Sequence, residues 1–378
     1  MRFRDLKLRT WIEIDKNALI NNLNEFLSIV PPHIKFAAII KSNAYGHGLS
    51  LIAELLANHE NFKKRGYFGV DSITEALKLR LNGIKMPILV LGFTLPARLV
   101  EARDNDIIIT VSSFFTLNEM RKRKIYPKFH LKIDSGMHRQ GFLSQDLTRL
   151  IRELKRIKKM PEGIYTHFAS AKDRFDRKFT SNQLNIFNKV CSEFNKIGLN
   201  QLIVHASATG GTLIENNNDF NMVRVGIGLY GYFPSFETEV TEASRLTLKP
   251  VLSWYSIVSE VKKVDEGEYV GYDYTERLKK KTKLAVIPIG YWHGFDRELS
   301  SIGEILIRGL PRRVIGRVSM DMIVVDVSKG NVEIGDVVTI IGRDKKSVIT
   351  IIDMAKILKR SYYEVVTRIN PLIKKIII

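Results

Sequence analysis

Lys41 stands directly after a run of apolar residues, Phe-Ala-Ala-Ile-Ile at 36–40. Such a lysine either extends along the rim of a sheet with its ammonium group in water, or is kept for chemistry. A desolvated lysine serves as a nucleophile or a base, because removal from water favours the neutral amine. The chain continues Ser-Asn-Ala-Tyr-Gly-His-Gly, so Tyr45 offers a nearby phenol and two glycines permit close approach to a ligand. This context favours a chemical role for Lys41.

Two further apolar runs lead into polar side chains that could bind a substrate. His167 follows Gly-Ile-Tyr-Thr, although a lone histidine in such a place is more often a hydrogen-bonded structural group. Arg139 follows the run at 130–133 after a short loop that begins with Asp134. Because the fork of a guanidinium matches a carboxylate, Arg139 is a candidate clamp for a carboxylate substrate. By residue type alone, a surface arginine is an equally acceptable interpretation.

Small residues accompany two more polar side chains, as expected where an anion approaches the backbone. Thr209 lies in His-Ala-Ser-Ala-Thr-Gly-Gly, ahead of a predicted helix whose free N–H groups would attract a phosphate. Arg224 stands at a predicted strand end, and Gly226 and Gly228 follow it. Tyr272 lies in Tyr-Val-Gly-Tyr-Asp-Tyr, where a tyrosine is by type more often a packing residue of β-structure than a catalytic one.

The composition is that of an ordinary globular protein with a strongly basic charge. Hydrophobic residues make up 45% and charged residues 26% of 378 residues, and the formal net charge is +19. The basic runs are dispersed along the chain, so we predict no specific nucleic-acid partner, although the charge can steer anionic ligands. No stretch approaches the roughly 18 consecutive apolar residues of a membrane span. The scattered N-terminal charges do not fit a signal peptide, and the single cysteine, Cys191, excludes an internal disulfide. We therefore expect a cytoplasmic protein with no membrane partner.

Short apolar runs alternate with amphipathic stretches from about residue 12 to about residue 230. Strands that alternate with helices in this way predict βαβ units and a parallel sheet. Seven or eight such units suit a TIM (β/α)8 barrel, and an open doubly wound sheet is the alternative. In both folds ligands bind at the carboxyl ends of the strands, where the polar residues above stand. The predicted strands are residues 36–40, 67–70, 87–91, 106–110, 130–133, 163–168 and 201–206.

After about residue 245 the pattern changes to short β-branched runs that are separated by Gly, Asp or charged turns. This pattern predicts a mostly antiparallel β-domain. A polar stretch without a core signal lies near 234–247. We therefore divide the chain into an α/β barrel domain at 1–240 and a C-terminal β-domain at 241–378.

In their order and spacing, these segments resemble those of alanine racemases, which are fold-type III enzymes that depend on pyridoxal 5′-phosphate. The resemblance runs through almost the whole chain, from RTWIEIDKNALINNL to RSYYEVVTRI. It implies a cofactor-binding (β/α)8 barrel, a C-terminal β-domain and a head-to-tail homodimer whose active sites are shared between subunits. The most specific segments are AAIIKSNAYGHG, LKIDSGMHRQGF, YTHFASA, MVRVGIGLYG, IPIGY and GRVSMD.

The resemblance also implies a role for individual residues. Lys41 matches the lysine that binds the cofactor as a Schiff base, and Tyr272 matches a second acid/base group that the partner subunit supplies. Arg224 matches the arginine that faces the pyridine nitrogen, and His167 matches the histidine that supports this arginine and the catalytic tyrosine. No metal ligand is implied. The other matches are phosphate contacts at Tyr45, Thr209, Gly226, Ile227 and Tyr363, substrate-carboxylate contacts at Arg139 and the Met320 backbone, pocket or channel positions at Tyr291 and Asp321, and Lys132, which is carbamylated in some members.

Two bases on opposite faces of a carbon suit racemisation, because one removes the Cα proton and the other returns a proton from the far side. The resemblance therefore implies interconversion of L-alanine and D-alanine, which would supply D-alanine for peptidoglycan synthesis. A broad-specificity amino-acid racemase and a non-catalytic barrel that binds the cofactor are the alternatives. A fold-type III decarboxylase would need a catalytic cysteine loop, whereas Cys191 lies within a predicted helix.

Four positions depart clearly from the family pattern, and Ser319 is a milder change at a position where a cysteine is common. These changes leave the implied catalytic pair in place and bear on the shape of the pocket and the range of substrates. Ala208 replaces an asparagine, Trp292 and His293 replace an alanine and an aspartate, and Asp273 replaces the glycine that usually follows the catalytic tyrosine.

Overall fold

The chain forms two compact units in the computed structural model. The barrel unit comprises Asn17–Ala44 and Leu49–Pro250. The β-unit comprises the residues up to Lys16, among them strand β1 (Thr10–Ile14), together with Tyr45–Gly48 and Val251–Ile378. The described residues are 7–157, 159–171, 177–214 and 220–378.

The strands of the barrel unit are short and mostly buried, since they consist largely of Ile, Val, Leu, Phe and Ala. Runs of this kind can be covered on both faces, as parallel strands require. The strands are β2 (Lys35–Ile39), β3 (Gly66–Val70), β4 (Ile88–Val90), β5 (Ile107–Val111), β6 (Phe129–Asp134), β7 (Phe142–Leu143), β8 (Gly163–Tyr165), β9 (Ile203–His205) and β10 (Met222–Val225).

Within the described residues, eight of these strands pair in parallel in the order β10-β2-β3-β4-β5-β6-β8-β9. The short β7 pairs with β6 outside this order. The two ends of the series approach each other, because Asn221 N–H donates to Val204 O at 3.1 Å and Arg224 N–H donates to Ser207 O at 2.9 Å. The strands thus form a nearly closed barrel, which confirms the predicted TIM (β/α)8 fold rather than the open sheet.

Helices follow most of the barrel strands, and local hydrogen bonds fix where several begin. Ser72 and Ser113 precede two of them, and each hydroxyl accepts from the backbone N–H three residues later. The helices of the barrel unit are Lys16–Ile29, Leu49–Ala57, Glu60–Arg65, Ile73–Leu81, Leu99–Asp104, Phe114–Arg123, Leu147–Ile157, Lys178–Lys196, Thr209–Ile214 and Phe236–Glu242. Short 3-10 helices span Pro96–Arg98, Ser144–Asp146 and Ile227–Tyr230.

Several strands of the barrel carry buried polar side chains. Interiors of such barrels are more often filled by branched apolar side chains, so this set needs an explanation. Within the described residues the buried polar members on strands β5 to β10 include Thr110, His130, Lys132, Tyr165, His205 and Arg224.

The β-unit is built from short strands, and in Leu252–Ile257 buried side chains alternate with half-buried ones. Its strands beyond β1 are β11 (Leu252–Ile257), β12 (Glu260–Val264), β13 (Tyr269–Val270), β14 (Glu276–Arg277), β15 (Thr282–Ile287), β16 (Glu304–Ile307), β17 (Leu310–Arg313), β18 (Ile323–Asp326), β19 (Val337–Asp344), β20 (Ser347–Ile349) and β21 (Lys375–Ile377). Helices span Ile351–Leu358 and Tyr362–Thr367, and 3-10 helices span Tyr272–Tyr274, Tyr291–His293 and Arg297–Leu299.

Nearly all strand pairs of the β-unit are antiparallel. One sheet has the order β17-β16-β19-β11-β1-β21, with β20 beside β19, and a second has the order β12-β15-β18. Strands β13 and β14 form a hairpin-like pair. Of the pairs described here, β1 with β21 is parallel. The predicted mostly antiparallel β-domain is therefore confirmed. In the described part of the chain, no helix has both the length and the apolar content needed to cross a membrane.

Asn22 links the first helix of the barrel unit to the backbone of two distant segments, at Leu229 and Lys249. Its side chain is fully buried, and its Nδ2 donates to the carbonyl oxygens of Leu229 at 3.1 Å and Lys249 at 2.7 Å. Its Oδ1 accepts from Lys249 N–H at 2.8 Å. Replacement of Asn22 by alanine leaves these backbone groups without partners, which costs about 1–3 kcal/mol.

We therefore expect Asn22→Ala to lower the free energy of unfolding by about 1–3 kcal/mol in denaturant titrations. Asn21→Ala is the matched control, because the neighbouring Asn21 donates to Thr247 O in an exposed contact and to Asn22 Oδ1 only at 3.4 Å. This control should change the stability by less than about 0.5 kcal/mol. Equal effects of the two substitutions would contradict the assignment of Asn22 as a structural bridge.

Candidate active site

Lys41 lies at the carboxyl end of β2 and begins a turn of unusual hand. The next residues, Ser42 to Tyr45, have φ angles of 56°, 55°, 54° and 51°. A left-handed backbone costs about 1–2 kcal/mol for each residue that is not glycine. Strain of this kind persists only where the surrounding contacts hold it, and it is common at functional sites. The turn gives Lys41 a fixed exit from the strand.

Glu75 holds this turn against the neighbouring strand. Its Oε1 accepts from Asn43 N–H at 3.0 Å, and its Oε2 accepts from Asp71 N–H at 2.9 Å, directly after β3. The Oδ1 of Asn43 in turn accepts from Leu49 N–H at 2.9 Å. One carboxylate therefore ties the strained turn to the adjacent strand end. Neither Asn43 nor Glu75 was identified from the sequence, because the pair is separated by 32 residues and has no motif of its own.

Arg224 is buried in the barrel unit, and its guanidinium is surrounded by acceptors. It donates to Thr166 O at 2.9 Å, Ala206 O at 2.8 Å, His205 Nδ1 at 2.7 Å and His167 Nδ1 at 3.2 Å. Burial lowers the pKa of Arg224 to about 10, so the guanidinium still carries its charge near neutral pH. These contacts fix the plane of a cation that cannot readily give up its proton.

His167 lies beside Arg224 and accepts a hydrogen bond from it. Burial, and after it the charge of Arg224, lowers the pKa of His167 to about 3. The imidazole is therefore neutral near pH 7. Because its Nδ1 accepts from Arg224, its remaining hydrogen lies on Nε2, which can donate to another group.

The barrel unit brings several cations together near Lys41. Burial lowers the pKa of Lys132 to about 8, and the charges of Arg139, Arg224 and Lys41 contribute in that order. Asp134 opposes this shift. Lys132 Nζ donates to Gln140 Oε1 at 3.1 Å and lies 5.5 Å from the centre of the Tyr165 ring. Four cations with one opposing carboxylate form a set that suits an anionic ligand.

Thr209, Gly226 and Ile227 meet where two short helical turns begin. The buried Thr209 hydroxyl accepts from Gly226 N–H at 3.0 Å, and Ile227 opens a 3-10 helix. A side chain at Gly228 would lie 2.4 Å from Phe26 and 2.9 Å from the Thr209 methyl group. The glycine therefore lets the two turns pack closely. The backbone carbonyl oxygen of Ala208 accepts from the Thr212 hydroxyl at 2.9 Å. Its methyl side chain stands where the family usually has an amide.

The predicted residues of the β-unit form a second group. Tyr272, Tyr291 and Met320 line one open depression of about 830 Å³. Their exposed fractions are 65%, 44% and 54%, which is high for large apolar or aromatic side chains. Asp321 follows Met320 in the same segment. The three side chains are thus presented together on one face of this unit.

The turn that carries Tyr272 is fixed by its neighbours. Gly271 has a φ angle of 81°, and Asp273 has a φ angle of 60°, which is uncommon for a residue other than glycine. The carboxylate of Asp273 lies 3.0 Å from Arg317 Nε. The aspartate that replaces the usual glycine therefore keeps the left-handed backbone and adds an ion pair.

Tyr291 is held by a turn in which His293 takes a structural part. Gly290 lies so close to the backbone that a Cβ would be 2.2 Å from Ser319 O, and Tyr291 N–H donates to this oxygen at 3.1 Å. The Nδ1 of the buried His293 accepts from Gly290 N–H at 3.2 Å. Burial lowers the pKa of His293, so the neutral ring acts as the acceptor. In this contact the His293 ring accepts a hydrogen bond, as a carboxylate oxygen would. The side chain of the neighbouring Trp292 is 57% exposed.

Tyr45 and Tyr363 lie together in the β-unit, with ring centres 6.2 Å apart. Burial raises the pKa of both phenols above the ordinary value for tyrosine. Both therefore keep their hydrogens and can donate to an anion. The candidate residues of the chain thus form two sets, one in each unit.

Two buried histidines of the barrel unit, His130 and His205, were not singled out as site residues from the sequence. His205 Nδ1 accepts from Arg224 at 2.7 Å, its Nε2 lies 2.9 Å from His130 Nδ1, and its ring stacks on Tyr165 with the ring centres 4.6 Å apart. His205 ends a predicted strand, which is the same signal that identified His167. His130 lies within its run, and nothing in the sequence distinguishes it from a packing residue.

Comparisons with known proteins agree with this arrangement. Residues 14–234 match the family described as alanine racemase, N-terminal domain, and residues 251–377 match alanine racemase, C-terminal domain. An alanine racemase of Leptospira interrogans is 38% identical over 98% of this chain and 96% of its own length. An alanine racemase of Methanococcus maripaludis is 38% identical over 97% and 98%.

Solved structures give the same result. The alanine racemase of Clostridium difficile 630 has a TM-score of 0.90 at 31% identity, over 99% of this chain and 96% of that one. The alanine racemase of Bacillus anthracis, solved with bound L-Ala-P, has a TM-score of 0.90 at 31% identity, over 98% and 95%. Both matches extend over both units.

The clamp by Glu75 can be tested without any ligand. In Glu75→Gln an amide N–H replaces one acceptor oxygen and faces a backbone N–H. We therefore expect the free energy of unfolding to fall by about 1–3 kcal/mol. Amide exchange at Asn43 should become faster. Glu54→Gln, on the exposed face of the helix Leu49–Ala57, is the control and should leave both unchanged. Unaltered exchange at Asn43 in Glu75→Gln would refute the clamp.

Proposed function

The chain belongs to the alanine racemase family, and from this membership and the geometry above we propose that it interconverts L-alanine and D-alanine by a two-base mechanism with pyridoxal 5′-phosphate. Membership makes it an amino-acid racemase, which is an isomerase. The observation that carries the proposal is the position of Lys41 among Lys132, Arg139 and Arg224 at the carboxyl ends of barrel strands. Ligands of such barrels bind at this end.

The residues present fit the proposed cofactor. A phosphate-bearing aldehyde needs an amine to attach to, and cations and N–H or O–H donors to hold its charge, and the barrel unit supplies each of these. Lys41 Nζ would hold it covalently. The Thr209 hydroxyl and the backbone at Gly226 and Ile227 are the proposed phosphate contacts, together with the protonated phenols of Tyr45 and Tyr363. When bound, the cofactor spreads the negative charge that remains at Cα after proton removal.

Lys41 and Tyr272 are the proposed acid/base pair. Racemisation needs the Cα proton to be taken from one face and a proton to be returned to the other. In our proposal Lys41 Nζ serves one face and Tyr272 Oη the other, so the substrate need not turn over between the two transfers. The fixed turns at Ser42–Tyr45 and Gly271–Asp273 support this role, since proton transfer depends on the position of the donor atom.

Arg224 and His167 would orient the reacting groups. A guanidinium keeps its proton, so an acceptor opposite Arg224 would receive a hydrogen bond and stay unprotonated. If the pyridine nitrogen of the cofactor is that acceptor, its ring stays unprotonated and would withdraw electrons only weakly. This would limit side reactions. The neutral His167 offers Nε2–H as a donor, which suits its proposed support of the catalytic tyrosine. Arg139 and the backbone of Met320 are the proposed contacts of the substrate carboxylate.

Lys132 is proposed to position Arg139. With a pKa of about 8, a larger share of Lys132 is neutral amine at neutral pH than for an ordinary lysine. The neutral amine is the form that reacts with carbon dioxide, so a carbamate is chemically accessible at this site. Such a group would replace a repelling cation beside Arg139 with an anion.

The exposed face of the β-unit supports the proposed homodimer. Tyr272, Tyr291 and Met320 expose large side chains around one depression, and clusters of this kind usually mark an interaction surface. In the proposed head-to-tail dimer, this face would meet the barrel of the partner and complete two equivalent sites. The proposed ligand of these sites is a small amino acid. We propose no specific nucleic-acid partner and no membrane partner. Cytoplasmic D-alanine supply for peptidoglycan is the proposed role.

A broader range of amino acids is the second candidate. It is favoured by the exposed Trp292, which follows the pocket residue Tyr291 where the family usually has a small side chain. A non-catalytic cofactor-binding barrel is disfavoured, because such proteins resemble the barrel half alone and this chain carries a complete β-unit with Tyr272.

The activity can be tested by solvent exchange. In ²H₂O, we expect the protein to exchange the Cα hydrogen of L-alanine and D-alanine, with serine, lysine and arginine as probes of range. Lys41→Ala should lose visible cofactor absorbance, and Tyr272→Phe should keep this absorbance but lose at least about 100-fold in racemisation. Lys35→Ala, on the same strand, and Tyr274→Phe, two residues beyond Tyr272, are the matched controls. A wild-type protein that cannot bind the cofactor would refute the proposal.

The shared site makes a separate prediction. In a mixed dimer of Lys41→Ala and Tyr272→Phe subunits, one site carries both changes and the other carries neither. Equal amounts that exchange freely should therefore recover about one quarter of the wild-type activity, since half of the dimers are mixed. Subunit exchange is checked by native mass spectrometry. Complete exchange without recovery would indicate that Lys41 and Tyr272 of the same subunit work together.

A further inference from the structure

Arg224, His205 and His130 form a line of hydrogen bonds through the barrel unit. We propose that His130 is a positioning residue, which fixes the tautomer of His205 and thereby the orientation of the Arg224 guanidinium. The inference rests on the proposed function in one respect, namely that Arg224 faces the reacting group. The hydrogen-bond geometry itself does not depend on that function.

The direction of each hydrogen bond follows from the arginine. Arg224 can only donate, so His205 Nδ1, at 2.7 Å, must accept. The hydrogen of a neutral His205 then lies on Nε2, which is 2.9 Å from His130 Nδ1. His130 Nδ1 must accept in its turn, so His130 carries its hydrogen on Nε2. The donor at Arg224 and the acceptor at His130 therefore both favour the His205 tautomer with its hydrogen on Nε2, and loss of either weakens that preference.

Both rings stay neutral over the whole range in which the protein would work. Burial, followed by the charge of Arg224, lowers the pKa of His130 to about 3 and that of His205 well below its ordinary value. A second positive charge beside Arg224 is thereby avoided. Without an acceptor at His130, the other tautomer of His205 would become accessible, and it would place an N–H against the guanidinium.

The surrounding residues hold the two rings in place. His205 stacks on Tyr165 with an angle of 8° between the planes, and the Tyr165 hydroxyl lies 2.8 Å from Thr110 Oγ1. His130 lies over Gly163, where a Cβ would be 2.7 Å from the ring. Only a residue without a side chain leaves this room. The pair is thus built into the wall of the barrel and has little freedom to turn.

The Nε2 of His130 is fully buried and has no hydrogen-bond partner among the described residues. An unsatisfied buried donor costs about 1–3 kcal/mol. An apolar side chain at 130 would avoid this cost, but it would also remove the acceptor for His205. The presence of a histidine here is therefore explained by its Nδ1 and not by its Nε2.

The tautomers can be read directly from the wild-type protein with ¹⁵N-labelled histidine. We expect His205 to show a protonated Nε2 and an unprotonated Nδ1, with a hydrogen bond across to His130 Nδ1. A protonated Nδ1 on His205 would overturn the inference, whether or not the protein is a racemase. Failure of cofactor binding would instead refute the proposed function and leave this spectrum unchanged.

Two substitutions then test the consequence for Arg224. His130→Asn keeps an acceptor near the position of Nδ1, whereas His130→Leu removes it. For the Leu variant we expect about tenfold lower kcat, little change in KM, a shifted visible band of the bound cofactor and a mixture of His205 tautomers. The Asn variant should restore a single tautomer and most of the band position.

The two variants also separate positioning from simple damage to the fold. If both lose activity and cofactor absorbance equally, while the wild-type tautomers are as expected, His130 is a packing residue and the inference fails. If the Leu variant does not fold, Gly163→Ala offers a second route, because its Cβ would lie 2.7 Å from both the His130 ring and the Ile203 carbonyl oxygen and would displace the ring without removing it. An unchanged visible band and kcat in a folded Gly163→Ala protein with mixed His205 tautomers would equally overturn the inference.

Discussion

A full positive charge is buried in the wall of the barrel at Arg224, and much of the candidate site is arranged around it. An isolated buried charge is very costly, so the guanidinium needs acceptors on every accessible edge. Two carbonyl oxygens and two neutral imidazoles supply them. The neighbouring cations then favour an anionic ligand. Burial, and after it this charge, lowers the pKa of the neighbouring histidines and keeps them neutral, and the charge favours an anionic ligand.

Backbone strain and close contacts at glycines fix the turns of the candidate site. The left-handed turn after Lys41 and the turn at Asp273 both hold residues that are not glycine, each with a carboxylate or an ion pair beside it. At Gly290 and Gly163 the reverse holds, since no side chain could fit. Rigid turns at both ends of the proposed acid/base pair suit a reaction that leaves little tolerance in donor position.

Much of the barrel could be predicted from the sequence, because buried parallel strands are continuous apolar runs and the polar residues at their ends stand out. His167 and Arg224 were found in this way, and the structure brings them within hydrogen-bonding distance. Glu75 and His130 could not be found, since their partners lie 32 and 75 residues away and no local pattern encodes the contact. The left-handed turn is equally hidden, because its residue types do not require it. The roles of the site residues stay predictions.

The pairing of β1 with β21 has a consequence for synthesis of the chain. Ile12 pairs with Lys375 at one edge and with Trp254 at the other. A ribosome that adds about 5–20 residues per second makes the last strand roughly 20–70 s after the first. Until then, the apolar strand Thr10–Ile14 has no lasting partner on one side. One edge of Thr10–Ile14 therefore stays unpaired until Lys375–Ile377 has been made.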